Sequence, residues 1–166
     1  MTGDCVSGNG MVFGRKITVI DTPGIFDTVV TEEDIRAEII KSITEMGPSP
    51  DMMVMILKVA RYTKQEMEIV DIINSYFEQC GDIPKHISIL FTHGEDLEGQ
   101  TIKEFVKESP KLQQLVEKCG GRAHVIDNKH WRKYWWGYRS NRVQVKKLLK
   151  TIEKNLKGSK ETCNKK

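Results

Sequence analysis

The residues best suited to chemistry fall in three short segments, each of which follows an apolar run. The first is Ile17-Thr18-Val19-Ile20-Asp21-Thr22-Pro23-Gly24, which places an acid where a β-like stretch ends. Open α/β sheets bind ligands outside the carboxyl ends of their strands. A carboxylate there, such as Asp21, can hold a magnesium ion, usually through water, beside a triphosphate. Gly24 has no side chain to obstruct a backbone N–H approaching a terminal phosphate, and Thr22 lies between the two. The same D-x-P-G pattern also suits an ordinary strand-to-loop turn.

The second segment is Phe91-Thr92-His93-Gly94-Glu95-Asp96-Leu97. Asp96 could accept hydrogen bonds from the N1–H and the exocyclic amine of guanine. Adenine offers no matching donors, so such a pairing discriminates by leaving polar groups unpaired. His93 could lie against the purine ring. A surface loop with a helix cap fits these residues as well. The third segment, His124-Val125-Ile126-Asp127-Asn128-Lys129, places Asn128 by chain order within reach of the same base, or uses it to form a turn.

The elements that must position these segments follow from hydrophobic periodicity. Lys16 to Ile20 reads as a buried strand, and Val6 to Val12 as its hairpin partner through Phe13-Gly14-Arg15. Thr31 to Met46 reads as a helix with Ile35, Ile39, Ile43 and Met46 on one face. Thr31 is its capping hydroxyl, and Glu32, Glu33 and Asp34 complement the dipole. After Gly47-Pro48-Ser49-Pro50 come a buried strand over Met52 to Leu57 and a helix over Thr63 to Phe77. His86 to Phe91 is the next core strand. Short helices over Thr101 to Lys107 and Lys111 to Lys118 precede a strand over Ala123 to Ile126. A last helix spans Asn141 to Leu156 with a stripe of Val145, Leu148, Leu149, Ile152 and Leu156. Strands alternating with helical patterns predict an α/β fold with a mainly parallel sheet.

Composition bounds the function. The 166 residues suit one domain with 39% hydrophobic and 30% charged content, values ordinary for a globular protein. No apolar run approaches the ~20 residues of a membrane span. The first residues lack the basic start and apolar stretch of a signal peptide. Cys5, Cys80, Cys119 and Cys163 are far apart and form no C-x-x-C pair, which disfavours zinc and predicts a reduced, intracellular protein. Asn164-Lys165-Lys166 after Cys163 does not make a prenylation box. The net charge of +3 hides an asymmetry: from Lys129 onward 13 basic and 2 acidic residues give +11, against −8 for the preceding part. That end could meet an anionic membrane, or form a solvated helix face with a disordered tail. Within it lies the aromatic-basic run His130-Trp131-Arg132-Lys133-Tyr134-Trp135-Trp136-Gly137-Tyr138-Arg139. This run could stack bases, touch a membrane interface, or pack over the rest of the domain. No nucleic-acid-binding fold accompanies it, so RNA and DNA are not expected partners.

Taken together, D-T-P-G-I-F-D-T, L-F-T-H-G-E-D-L and H-V-I-D-N-K resemble the GIMAP family, the immunity-associated, septin- and Toc-like GTPases. The match covers roughly residues 5 to 157. The resemblance implies a three-layer P-loop NTPase-like G domain that binds GTP or GDP with Mg2+ as a nucleotide-dependent switch or scaffold. By that resemblance Asp21 lies near the metal, and Thr22 and Gly24 near the phosphates. Asp96 is the guanine-specificity acid, with His93 and Gly94 in place of the commoner Asn and Lys. Asn128 is the second guanine contact. The family also implies self-association through the G domain and a cytoplasmic location, peripheral to organelle membranes.

Two departures qualify this expectation. A complete domain opens with a strand, a G-x-x-x-x-G-K-[ST] loop and a helix, and no Gly-Lys-Ser or Gly-Lys-Thr occurs in these residues. That loop supplies backbone N–H groups and a Lys to the phosphates. Losing about three charge-assisted bonds at roughly 1.5–3 kcal/mol each forfeits ~5–9 kcal/mol. A micromolar binder has only ~8 kcal/mol in all. The expectation is therefore a partial G domain over residues 1–157 with a basic disordered tail over 158–166, impaired in GTP binding and with sheet edges left unpaired. Ile25 and Phe26, after Gly24, also provide no amide to orient an attacking water. Two alternatives remain: a slow GTP hydrolase activated by dimerisation, and a nucleotide-free protein or membrane interaction module.

Overall fold

The structure is a computed structural model, and it describes residues 6–21, 31, 33–34, 36–37, 40–41, 50–79 and 81–163, of which 158–163 by backbone only. The chain divides into two compact units, Met1–Pro50 and Asp51–Lys166.

In the first unit, β1 (Val6–Val12) and β2 (Arg15–Asp21) form an antiparallel hairpin, in register from Val6 opposite Asp21 to Val12 opposite Arg15. Phe13 and Gly14 form the turn, both at positive φ (49° and 77°). That is the two-residue geometry whose twist matches paired strands. Arg15, expected in the turn, instead opens β2. Across the ladder the Thr18 hydroxyl donates to Asn9 Oδ1 at 2.6 Å. No residue of β2 is buried, which corrects the expectation of a buried strand. A ribbon of two strands has no second layer of its own. Further on, the described residues of 33–41 are helical. The Thr31 hydroxyl accepts from Asp34 N at 3.2 Å while the Asp34 carboxylate takes Thr31 N–H at 3.1 Å. The expected capping hydroxyl is thus in place, and the Asp34 carboxylate makes the cap reciprocal.

The second unit is mixed α/β. Its sheet is parallel, ordered β3 (Met53–Lys58), β4 (Ile87–Thr92), β5 (Ala123–Val125). The central strand β4 is apolar throughout its first five residues apart from Ser88, and all five are buried, as a strand covered on both faces must be. At the described sheet edge, β3 buries only Leu57 and leaves Ile56 51% exposed.

The helix α1 (Lys64–Gln79) starts with a second reciprocal cap, Thr63 with Glu66, and buries Val70, Ile73, Asn74 and Phe77. It packs on α3 (Pro110–Lys118), and α2 (Ile102–Lys107) packs on α3 and β5. Thr101 and Glu104 make a full capping box on α2. The apolar faces meet in a core of Ile73, Ile89, Phe91, Leu115 and Val125, each fully shielded from solvent. At ~1.5–3 kcal/mol per large side chain, this burial is the main stabilising term.

The α3-to-β5 connection shows why glycines follow that helix. Gly120 N donates to Glu117 O and Gly121 N to Val116 O, both at 2.9 Å, which satisfies carbonyls that a helix end leaves open. Gly120 has φ +66°, and a Cβ on it would lie 2.3 Å from the Arg122 guanidinium. That guanidinium forks to Ile87 O (2.9 Å), Pro84 O (3.0 Å) and Lys85 O (2.7 Å), tying the entry of β4 to the entry of β5.

The last helix, α4 (Asn141–Cys163), packs on β5 and continues past Leu156, where its apolar stripe ends. The backbone is thus helical into the stretch expected to be a disordered tail. Lys and Glu are good helix formers and a single Gly costs only ~1 kcal/mol. No helix among the described residues is long and apolar enough to cross a membrane.

His124, in the middle of β5, has an Nε2 that is buried without a hydrogen-bond partner among the described residues. Burial first, and the Lys147 charge second, push its pKa down to about 4. The unfolded chain, with an ordinary value of about 6.5, binds the proton earlier. Stability should therefore be full above about pH 6.5 and fall as pH drops toward 4. Denaturant titrations over that window should show the loss, and His124→Gln should flatten it.

Candidate functional site

Parallel strands β4 and β5 release their chains on the same side of the sheet, so the loops after Thr92 and Val125 emerge together. Backbone bonds then join them: Ile126 N donates to Phe91 O at 2.8 Å and Gly94 N to Ile126 O at 3.0 Å. His93, Asp96 and Asn128 all lie in these two loops and are all exposed. The structure thus gathers these three candidates at one sheet end. Asp21 is exposed at the end of β2 in the other unit. Thr22 and Gly24 lie outside the described residues.

The first loop is a single 3-10 turn, Gly94–Leu97, entered through His93 at φ 60° and left through Glu98 at φ 50°. Left-handed backbone is uncommon outside glycine, although His is among the residues found there more often. The Thr92 hydroxyl donates to Leu57 O at 3.4 Å and lies 2.9 Å from His93 Nδ1, which steadies the ring.

The second loop is organised by Asp127, a residue whose role the sequence does not announce. Its carboxylate is buried and accepts three backbone bonds: Oδ1 from Lys129 N (2.8 Å) and His130 N (2.5 Å), and Oδ2 from Glu95 N (3.1 Å). Burial works to raise its pKa, but those N–H donors, with the nearby His130, outweigh it and hold the acid below its ordinary range. The backbone of Asp127 is fixed in turn by Asn141, whose amide spans Asp127 N (2.9 Å) and O (2.7 Å). An acid at a strand end followed by Asn-Lys was the available signal, and it reads equally well as a generic turn.

Trp131 completes the seam. It is 1% exposed, and its ring lies so close to Gly94 that a Cβ there would meet it at 2.6 Å. Its indole N–H donates to Glu95 Oε2 at 2.8 Å, while Arg139 pairs with Glu95 Oε1. The Arg139 and Trp131 donors hold the Glu95 carboxyl below its usual value. Tyr138 stands edge-on to Trp131 with centroids 5.9 Å apart. The aromatic-basic run is therefore divided: Trp131 belongs to the core, whereas Trp135 and Trp136 do not.

Of the four acids here, Glu95 and Asp127 are committed to bonds within the protein, whereas Asp96 and Glu98 are exposed. Among the described residues nothing donates to the carboxylate of Asp96. Its acceptors face solvent, as recognition of two adjacent donors requires. For a metal, the described residues hold no group of three His, Cys, Asp or Glu side chains. Asp21 could supply one carboxylate, which suits a magnesium ion that keeps most of its waters and takes phosphate oxygens.

A family model described as "AIG1 family" matches residues 1–166. The chain is 28% identical over 139 residues to human "GTPase IMAP family member 8", covering 84% of this chain and 20% of that protein. It is 26% identical over 169 residues to the mouse protein of the same name, covering 99% and 23%. With "Immune-associated nucleotide-binding protein 10" of Arabidopsis thaliana it shares 32% over 145 residues, covering 84% and 30%. The chain thus spans less than a third of the length of each of these relatives.

Two substitutions test the seam. Gly94→Ala must displace Trp131, so a loss of about 1–3 kcal/mol is expected in denaturant unfolding, with a shift in tryptophan emission. Asp127→Ala leaves three backbone N–H groups without their acceptor and should cost about 2–4 kcal/mol. The Asp127 contribution is full above the ordinary carboxyl value near 3.9 and is lost as pH falls through the depressed native value. The variant should therefore lose part of the wild-type acid sensitivity below about pH 4.

Proposed function

The chain belongs to the AIG1 family, and on that premise we propose that its second unit carries the base-recognition end of a GTP-binding domain. Membership suggests guanine-nucleotide binding in general; the residue roles are our own reading. Asp96 accepts from N1–H and the exocyclic amine of guanine. His93, held by Thr92, packs on the purine face, and Asn128 contacts the base edge from the neighbouring loop. Asp127 is a positioning residue, since it fixes where the two loops sit relative to one another. The observation that carries this reading is the contrast between consecutive acids of one turn: Glu95 is bonded to Trp131 and Arg139, whereas the Asp96 carboxylate is left open at the sheet end.

In the same reading Asp21 holds Mg2+ through water and Thr22 and Gly24 approach the phosphates, with GTP and GDP as the ligands. Ile25 and Phe26 follow Gly24, and neither can orient a water for attack. A binding switch that self-associates is therefore favoured over a fast hydrolase. The compartment proposed is the cytoplasm, at the periphery of organelle membranes.

The base end can be tested apart from the phosphates by NMR titration of the chain with GMP and with AMP. GMP should shift the amides of His93, Asp96 and Asn128, and AMP should not. Two hydrogen bonds to a charged acceptor are worth ~3–6 kcal/mol. Asp96→Ala should therefore remove a guanine preference of about a hundredfold or more. Equal responses to GMP and AMP, or a preference that survives Asp96→Ala, would show the loop assignment to be wrong.

A further inference from the structure

Beyond Trp131 the chain emerges from the core, and every residue from Arg132 to Gly137 is exposed. Trp135 is 75% and Trp136 85% exposed. An adjacent pair of tryptophans so open to water is unusual, because each ring carries ~150–250 Å2 of largely apolar surface. Neither indole N–H has a partner among the described residues. The loop is nonetheless held firmly at its base. The Ser140 hydroxyl donates to Tyr134 O and the Gln144 amide to Tyr138 O, each at 2.7 Å, and Gly137 makes the return at φ 81°. Cations stand around the rings: Lys133 and Arg139 lie 5.5 and 5.7 Å from the Tyr134 centroid, and Arg142 lies 5.7 Å from that of Trp135. No carboxylate occurs in the sequence between Asp127 and Glu153.

We propose that this loop docks on an anionic phospholipid bilayer, with Trp135 and Trp136 inserted at the headgroup level and Arg132, Lys133 and Arg142 on the lipid phosphates. The inference does not depend on the guanine reading. Tryptophan favours the membrane–water boundary because its ring is apolar and its N–H polar. Basic residues beside it gain from the negative surface potential, about fivefold in affinity for each one near the surface.

Other occupants fit less well. The space beside the indoles, about 490 Å3, is lined only by the consecutive residues Lys133, Tyr134, Trp135 and Trp136. A single-stranded nucleic acid needs a groove that tracks its backbone, and a projecting tip does not provide one. A stable protein interface, including one with a second copy, buries roughly 800 Å2 per partner. Two indoles fall short of that area. A bilayer asks only for a small apolar tip inside a basic collar, which this loop supplies before binding.

The test uses the full chain and unilamellar vesicles of phosphatidylcholine with about 30 mol% phosphatidylserine, against phosphatidylcholine alone. Binding should require the anionic lipid and weaken as salt rises. Tryptophan emission should move to the blue and be quenched by brominated acyl chains. Trp135→Ser with Trp136→Ser should cut partitioning by at least about tenfold. Its unfolding midpoint should not change, with buried Trp131 left to report the fold. Arg132→Gln with Lys133→Gln should reduce partitioning by about twenty-fivefold. The proposal fails if the tryptophan variant partitions like the wild type, or if bromolipid leaves the emission unaffected. It fails equally if neutral vesicles bind as well, or if the tryptophan variant loses only RNA binding or self-association.

Discussion

The candidate site depends on one buried carboxylate. Backbone bonds bring the loops after β4 and β5 together, and Asp127 fixes how their turns sit against each other. Its two oxygens collect donors from Glu95 on one loop and from Lys129 and His130 on the other. A buried charge is tolerable only when it is so paired, so the fold and the loop geometry require each other. Trp131 adds a steric condition, because its ring occupies the space that any side chain at position 94 would need. The glycine thus belongs to the packing of the seam as much as to the sequence pattern that surrounds Asp96.

Saturation separates Glu95 from its neighbour Asp96. Glu95 and Asp96 are consecutive in one 3-10 turn, and successive residues of such a turn project in different directions. Glu95 turns toward Trp131 and Arg139, whose indole N–H and guanidinium take one oxygen each. Asp96 projects to solvent with its carboxylate unengaged by the described residues. A turn that places an acid outward at a sheet end, with its neighbour fastened inward, holds that acid at a defined position without using its lone pairs. Such preorganisation is what a recognition carboxylate needs.

Much of the architecture was legible because it rests on local rules. The hairpin, the reciprocal caps at Thr31, Thr63 and Thr101, and the strands around Leu57 and Phe91 follow from turn chemistry and periodicity. His93, Asp96 and Asn128 could be singled out because residues just after strands share a sheet end. Asp127 and Trp131 could not be. Their roles depend on contacts with residues more than thirty positions away, Glu95 and Gly94. The aromatic-basic run shows the same limit: composition treats its tryptophans alike, whereas the fold buries one and leaves two in water. Periodicity likewise overstated the burial of β2 and β3, because an apolar alternation does not say whether a second layer covers the strand.

Glu95 also connects the loop after β4 with the exposed tryptophan loop. It precedes Asp96 in the 3-10 turn, and its carboxylate holds both Trp131 and Arg139, the residues that bracket the exposed loop. A displacement of Glu95 would therefore disturb the turn that bears Asp96 and the footing of Trp135 and Trp136 together. Coupling between two sites is a free energy, and it acts equally in both directions. Asp127, which takes both Glu95 N–H and His130 N–H, and the Trp131 ring against Gly94 reinforce that link, so there is little slack in which a shift could be absorbed. A surface that steadies Arg139 and Trp131 would steady the turn bearing Asp96, and a base seated on that turn would, to the same degree, steady the loop.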